Sequence, residues 1–340
     1  MDTQYGGGSK ADPVQITEDE AAVYDRQIRL WGLEAQQRMR NATILVIRLR
    51  GTATEAIKNI VLAGIGKLVI FDDEEVKDED LGAGFFFRDE DVGKKRVDAA
   101  KARIEALNPL VTVQALRHPT LLEQESLNAL IMSVDLVCVT DWDREGLIKI
   151  NDTCRQFGKP FYAGGTFGLL GYVFCDLLKH EYISPDRSAP KEAPKNVKAC
   201  AFYSRLDMAL QHRWTGLTKR QTKEINPAVV HIILALWEYQ NTYEGKLPDD
   251  MDAAPELGKI ANSILTASDV NRQVLTSIPQ DLIGAMCTSA AHEFSPTCAV
   301  VGGMLAQDIL KALAAREAPI ANFFTFDGNT GTGSVCKMNM

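Results

Sequence analysis

Short apolar runs alternate with amphipathic segments through the first half of the chain. Mostly apolar runs at residues 43–47, 67–71, 111–116 and 136–140 predict buried strands. Apolar residues at helical spacing predict helices between and after them, at residues 54–64, 96–107 and 147–157. This alternation is typical of an α/β fold, so we predict a Rossmann-like, doubly wound and mostly parallel sheet.

The pattern changes after residue 183. Residues 184–198 are rich in Pro, Lys and Ala without periodicity, and they predict a loop. The first helix beyond this loop is expected to have Asn226 as its N-cap and Pro227 as its first residue. The predicted helices cover residues 226–243, 255–267, 270–278 and 280–293. The α/β pattern then returns, with a helix at 295–313 and a strand at 323–326.

These changes predict how the chain is divided. Residues 16–183 and 294–335 are expected to form one α/β domain, interrupted by a mainly helical insertion of residues 184–293. Residues 1–15 are rich in Gly, Ser and Asp and are predicted to be disordered. Helical structure should begin directly afterwards, because Thr17 and Glu20 have the spacing of a capping box.

The turn between the first strand and its helix resembles a nucleotide-binding loop without its glycines. In a G-x-G-x-x-G loop the glycines let a pyrophosphate approach the backbone closely. Here those three places hold Arg48, Arg50 and Ala53, and Gly51 lies at a different place. The second strand still ends at Asp72, about 20 residues after the loop, as the dinucleotide pattern requires. We therefore expect the strand–turn–helix fold to be intact but its loop to lack the glycines that bind phosphate.

The two loop arginines allow two interpretations. They could hold a phosphate with their side chains, because guanidinium groups bind anions well. The favoured interpretation is that they fill or bridge the vacated crevice and pair with acids such as Asp72 or Asp73.

Charge and cysteine usage exclude several classes of function. The net charge of -8 argues against general binding to nucleic acid or to an anionic membrane. No apolar run approaches the roughly 20 residues of a membrane span. The seven cysteines are scattered and never spaced as Cys-x-x-Cys, which indicates a reducing compartment and no structural zinc or other metal site.

Four motifs together carry a family resemblance. They are YDRQIRLWG at 24–32, VGKKR at 92–96, GTFGLLGYV at 165–173 and PTCAVVGGMLAQ at 296–307. By these motifs, over about residues 18–333, the chain resembles the small subunits of heterodimeric SUMO-activating enzymes, within the superfamily of ThiF-like and ubiquitin-type activating enzymes. The resemblance implies that the α/β part is a ThiF-type adenylation domain.

The resemblance also implies that this adenylation domain is a degenerate one. Such heterodimers pair an active domain with an inactive one. The chain has Ala83 where active members have an ATP-contacting Arg, and Arg96 where they have a phosphate-binding Lys. The metal-binding Asp falls on Trp142, although Asp141 or Asp143 could substitute after a shift of one residue. The resemblance therefore implies that this chain binds no cofactor and that the partner subunit binds ATP and Mg²⁺.

One residue of the first motif has an implied positive role. In the heterodimers an Arg of this signature reaches across the interface to the ATP of the partner, and the matching residue is Arg26. A planar, permanently charged guanidinium suits the negative charge that develops when a carboxylate attacks the α-phosphate. On the residues alone, Arg26 could instead form a surface ion pair on an N-terminal helix.

No catalytic cysteine is predicted in this chain. Active partners carry the thioester-forming Cys in the region that corresponds to the insertion, which would here be half of a catalytic-cysteine domain. Between residues 182 and 293 the chain has only Cys200 and Cys287. Because Cys200 lies in an apolar run, we expect it to pack in the core.

The sequence therefore predicts a required, non-catalytic subunit of a SUMO-activating enzyme. The implied partners are the larger catalytic subunit, SUMO and, through the complex, the SUMO-conjugating enzyme, in the nucleus and also the cytoplasm. One alternative is a Rossmann-type NAD-dependent oxidoreductase, which the arginines in the glycine places argue against. The other is a self-sufficient ThiF-like adenylyltransferase, which requires an intact loop and usually paired Cys-x-x-Cys zinc sites.

Overall fold

The computed structural model describes residues 15–186 and 195–340, so most of the predicted disordered segment, residues 1–14, lies outside the described residues. The strands are β1 (Thr43–Ile47), β2 (Lys67–Phe71), β3 (Thr112–Leu116), β4 (Leu136–Thr140), β5 (Phe161–Phe167), β6 (Leu170–Asp176), β7 (Lys179–Asp186), β8 (Lys195–Phe202), β9 (Phe323–Asp327) and β10 (Thr332–Cys336).

Helices connect and cover these strands. They are α1 (Glu18–Val23), α2 (Asp25–Trp31), α3 (Leu33–Arg40), α4 (Gly51–Leu62), α5 (Arg96–Leu107), α6 (Gln124–Met132), α7 (Arg144–Gln156), α8 (Leu206–Ala209), α9 (Lys219–Glu224), α10 (Pro227–Thr242), α11 (Ala254–Ala267), α12 (Gln280–Ser289) and α13 (Ser295–Ala314). The capping box predicted at Thr17 and Glu20 is confirmed, with both of its reciprocal hydrogen bonds formed.

The main sheet has the strand order β10-β9-β6-β5-β4-β1-β2-β3. Strands β1 to β5 run parallel, and β6, β9 and β10 extend the sheet antiparallel. The order reverses between β1 and β4, and the crevice at such a switch point is where doubly wound folds bind ligands. The predicted α/β fold with a mostly parallel, doubly wound sheet is confirmed, and its switch point coincides with the altered loop.

Two apolar layers enclose the sheet. One face packs against α4, α5 and α13, and the other against α6, α7 and the later helices α10, α11 and α12. Among the described helices, α13 is long and apolar enough to cross a membrane, contrary to the expectation that no segment approaches that length. It packs against α4 and against β5 and β6 with much of its surface buried, as a core helix does.

The second half of the chain differs from the prediction in three places. The predicted loop at 184–198 contains the ends of β7 and β8, which pair with each other, while residues 187–194 lie outside the described residues. No helix forms at 270–278, because the Asn271 side chain accepts a hydrogen bond from the Gln273 N–H at 3.0 Å and donates one to the Leu217 carbonyl. Asn226 precedes α10 as predicted, but at φ 46° its side chain forms no cap.

The first sequence motif is tied to the sheet domain by one buried tyrosine. Tyr24 lies between α1 and α2, and its hydroxyl accepts a hydrogen bond of 2.8 Å from the Asn108 amide. The Asn108 amide also donates to the carbonyl of Val61 on α4. The Tyr24 ring covers Gly64, where φ is 81° and an added Cβ would lie 2.6 Å from the hydroxyl oxygen. This contact fixes the start of α2, where Arg26 lies.

The contact predicts unequal effects of two glycine substitutions. Gly64→Ala and Gly158→Ala share the strain of a positive φ, but only at Gly64 does the new Cβ meet the Tyr24 ring. We expect losses in the free energy of unfolding of about 2–4 kcal/mol for Gly64→Ala and about 1 kcal/mol for Gly158→Ala. Urea denaturation measures both, and equal losses would contradict the anchoring role of Tyr24.

Candidate functional site

The altered loop joins β1 to α4 at the switch point of the sheet. Asp72, at the end of β2, accepts a hydrogen bond of 2.7 Å from the Leu49 N–H and one of 2.8 Å from the Glu74 N–H. The Thr140 hydroxyl donates to the Arg48 carbonyl at 2.9 Å, and Arg48 itself has φ 72°. The acid that a dinucleotide fold uses for ribose therefore holds the loop backbone here.

The two loop arginines pair with acids, but not with the predicted Asp72 or Asp73. A terminal nitrogen of Arg48 donates to Glu74 Oε1 at 3.0 Å, and its guanidinium lies 5.4 Å from the centre of the Trp142 ring. Arg50 Nε lies 3.6 Å from Glu293 Oε2. The actual partners differ because Asp72 is already engaged by backbone N–H groups.

Glu293 lies at the N-terminus of α4. The Gly51 N–H, at the first residue of that helix, donates to Glu293 Oε1 at 2.9 Å. A Cβ at Gly51 would approach Glu293 Oε1 and Cys298 Sγ to 3.0 Å and the Ala83 Cβ to 2.9 Å. Ala53, on the same first turn, is also buried. A carboxylate thus occupies the position where a nucleotide-binding loop presents its backbone to phosphate.

Burial governs the ionisation of Glu293. Desolvation and the charge of Asp141 raise the pKa of the Glu293 carboxyl to about 7, against the opposing effects of Arg50 and the Gly51 N–H. Burial also raises the pKa of Asp141, although Arg50 works in the other direction. Burial lowers the pKa of Arg50, but the carboxylates of Glu293 and Asp141 have the larger combined effect and raise that pKa overall.

Arg96 forms the centre of a second ionic cluster behind the loop. Its side chain is 1% exposed, and its Nε and one terminal nitrogen bind both oxygens of Asp80, at 2.9 and 3.1 Å. The other terminal nitrogen donates to Glu74 at 2.9 Å and lies 3.5 Å from Asp72. Burial opposes its charge, yet Asp80, Asp72 and Glu74 together raise the pKa of Arg96. This guanidinium is committed to the protein's own carboxylates.

The two candidates for a metal-binding acid have different surroundings. Asp143 accepts a hydrogen bond of 2.9 Å from the Gly146 N–H and caps α7. Asp141 has φ 48° and accepts one from the Thr166 N–H at 3.1 Å, while its Oδ2 is shielded and forms no hydrogen bond with the part of the chain that the structure describes. In residues 15–186 and 195–340, no group of three or more His, Cys, Asp or Glu side chains is placed to hold a metal ion.

A cavity of about 420 Å³ remains beside the loop. Its wall includes charged side chains together with aromatic and amide side chains: Arg48, Arg50, Glu79, Asp141, Trp142, Asp143, Tyr172, Gln240, His292 and Glu293. Sequence reasoning missed Glu293, which it placed at the end of a helix. No local signal marks it, since it meets Gly51 across 242 residues of chain.

The remaining predicted residues lie elsewhere. Arg26 is exposed on α2, and no hydrogen bond or ion pair of its side chain occurs within the described chain, whereas Arg29 on the same helix pairs with Asp25 at 2.9 Å. Cys287 is buried on α12. The prediction that Cys200 packs in the core is wrong: it is exposed on β8, because the β7–β8 ribbon is separate from the main sheet.

The raised pKa of Glu293 predicts how stability depends on pH. Between the usual Glu value of 4.5 and about 7, the folded chain keeps a proton that the unfolded chain releases. The stabilisation from this proton is complete below pH 4.5 and is lost as the pH rises to about 7. Relative to Glu293→Gln, the wild-type free energy of unfolding should therefore fall by about 1–3 kcal/mol over this range.

Urea denaturation at several pH values makes this comparison. Glu79→Gln is the matched control, since Glu79 lies on the same cavity wall but its side chain is 66% exposed. Because this variant keeps Glu293, its free energy of unfolding should fall over this pH range as that of wild type does. Parallel stability curves for wild type and Glu293→Gln would contradict the raised pKa.

Comparisons with known proteins agree with this geometry. The model of the ThiF family matches residues 24–340. SUMO-activating enzyme subunit 1 of Rattus norvegicus is 35% identical, over 94% of this chain and 95% of its own length. The proteins of the same name from Bos taurus and Homo sapiens are 35% and 34% identical, each over 98% of this chain and 97% of their own lengths.

These matches confirm the resemblance drawn from the four motifs. They extend through the altered loop, the insertion and the final strands, so the similarity is not confined to one motif. The chain belongs to the ThiF family.

Proposed function

We propose that this chain is the non-catalytic subunit of a heterodimeric SUMO-activating enzyme. Support comes from relatives named SUMO-activating enzyme subunit 1, which match nearly the whole chain at 34–35% identity. In the proposed reaction, the larger subunit adenylates the SUMO C-terminus with ATP and transfers it to its own cysteine as a thioester. This is the first step of protein sumoylation, which we place in the nucleus and also in the cytoplasm.

The observation that carries the non-catalytic assignment is the carboxylate at the N-terminus of α4. The Gly51 N–H binds Glu293, and the nearby cations Arg48, Arg50 and Arg96 face Glu74, Glu293 and Asp80. A triphosphate would have to displace these internal anions. We therefore assign ATP and Mg²⁺ to the partner subunit and no cofactor to this chain.

Arg26 is the proposed contribution of this chain to the chemistry. Its guanidinium is exposed and unpaired in the described structure, so no internal acid competes for it. Tyr24, two residues earlier, fixes α2 to the sheet domain through Asn108. An arginine presented in this way can stabilise charge on an ATP bound by the partner, since its forked donors match phosphate oxygens.

Exposed apolar residues support assembly with a larger subunit. Val300 on α13 is 42% exposed and Phe85 is 39% exposed, while the neighbouring Phe86 and Phe87 belong to the core. Obligate interfaces are more apolar than ordinary surface. We propose that these residues contribute to the heterodimer, and that SUMO and the SUMO-conjugating enzyme are engaged through the complex.

The site supports the two alternatives, an NAD-dependent oxidoreductase and a self-sufficient adenylyltransferase, less well than it supports a non-catalytic subunit. An NAD-dependent oxidoreductase would need the α4 N-terminus for pyrophosphate, where Glu293 lies. A self-sufficient adenylyltransferase would also need phosphate at this loop, where the cations are neutralised internally. Titration with NAD, followed by fluorescence, tests the first alternative directly.

The role of Arg26 predicts a selective loss of activity. With the partner subunit, Arg26→Ala should slow ATP–pyrophosphate exchange dependent on SUMO by about tenfold or more, because charge developing on ATP loses its guanidinium. Arg26→Lys should recover little of this rate, since an ammonium group cannot reproduce the forked contacts. Gel filtration should show an unchanged heterodimer for both variants.

Arg29→Ala is the matched control for this experiment. It removes a guanidinium from the same exposed helix, but one that is engaged by Asp25. Its exchange rate should equal that of wild type. Normal exchange by an intact Arg26→Ala heterodimer, or equal losses for both variants, would contradict the proposed role in trans.

A further inference from the structure

The N-terminus of α4 is built to hold an anion and holds one from its own chain. The helix has 12 residues, and its first N–H points at Glu293 Oε1 at 2.9 Å. Such a helix end carries a partial positive charge and unsatisfied N–H groups, which together favour an anion. The guanidinium of Arg50, one residue before the helix, adds a full positive charge 3.6 Å from the second carboxylate oxygen.

The segment that carries Glu293 is fixed against the sheet domain. It joins α12 to α13, and the carbonyl of its neighbour His292 accepts a hydrogen bond from the Gly168 N–H at 3.2 Å. The Glu293 side chain is 7% exposed, and the contacts at Gly51 leave no space for even one added carbon. The carboxylate is therefore a close-fitting occupant of this position.

Several buried polar atoms of the adjoining cavity wall form no hydrogen bond within the described residues, although Arg50 Nε among them faces Glu293 Oε2 at 3.6 Å. Within the described residues, the buried side-chain atoms that lack a hydrogen-bond partner and belong to the cavity wall are Arg48 Nε, Arg50 Nε, Asp141 Oδ2, Tyr172 Oη and Gln240 Oε1. Tyr172 is only 1% exposed. These donors and acceptors make the cavity suited to a polar ligand, and it opens directly beside the helix end that Glu293 occupies.

We propose that Glu293 is an internal anion that closes a phosphate-binding site still present at the N-terminus of α4, and that removing its carboxylate opens this site to pyrophosphate. The inference rests on the proposed function, in which this chain binds no nucleotide, and it names the residue responsible. An internal group competes at a high effective concentration, so free phosphate compounds do not displace it.

The test uses the full chain without its partner. Sodium pyrophosphate is titrated by calorimetry into wild type, Glu293→Ala, Glu293→Gln and the control Glu79→Gln. Glycine labelled with ¹⁵N reports the Gly51 amide in the same titrations. Glu293→Ala vacates the position, whereas Glu293→Gln removes the charge and keeps an oxygen that can accept from Gly51.

We expect the affinity for pyrophosphate to rise by about tenfold or more in Glu293→Ala and by less in Glu293→Gln, with a shift of the Gly51 amide signal on binding. Wild type and Glu79→Gln should show neither change. Glu79→Gln separates the role of Glu293 from a general loss of negative charge around the cavity. If Glu293→Ala does not fold, the Glu293→Gln comparison with Glu79→Gln decides alone.

Two results overturn the inference and have different meanings. If the folded Glu293 variants bind pyrophosphate no better than wild type, Glu293 does not close the site, and the proposed function is unaffected. If wild type itself binds pyrophosphate or Mg-ATP tightly with a Gly51 shift, the site is open. The assignment of all nucleotide binding to the partner then fails as well.

Discussion

Charge neutrality in the crevice at the switch point is the constraint on which this structure depends. Arginines in place of two loop glycines bring positive charge into a partly buried region, where an unpaired ion is costly. The chain meets this cost with acids from distant segments: Glu74 for Arg48 and Glu293 for Arg50. Glu74 also contacts Arg96, so the loop and the start of α5 share one ionic network.

The arginines of this chain differ in whether an internal carboxylate neutralises them. Arg48, Arg50 and Arg96 face internal carboxylates, and these ion pairs fix the loop. Arg26 lies outside this network on an anchored helix with its charge free in the described structure. In the proposed function, the domain binds no nucleotide itself and presents this cation to the nucleotide site of the partner subunit. In this account the ThiF fold serves as a rigid support for α2.

The sequence predicted local features better than distant ones. The strands at Lys67–Phe71 and Leu136–Thr140, and the helix Arg96–Leu107, have the predicted bounds, because buried apolar runs and helical periodicity are local signals. The degenerate loop could also be predicted, since the replacement of its glycines is visible in the sequence. Glu293 could not be predicted as the occupant of α4, because only the fold brings it to Gly51. Cys200 and the β7–β8 ribbon were missed because an apolar run does not reveal whether another layer covers it.

In the proposed heterodimer, the larger subunit holds the nucleotide and this chain does not. Photolabelling of the assembled heterodimer with 8-azido-ATP, combined with equilibrium dialysis of ATP, tests it most directly. We expect one ATP bound per heterodimer, with covalent label on the larger subunit only. Two bound ATP molecules per heterodimer, or labelled peptides from residues 48–53 of this chain, would contradict it.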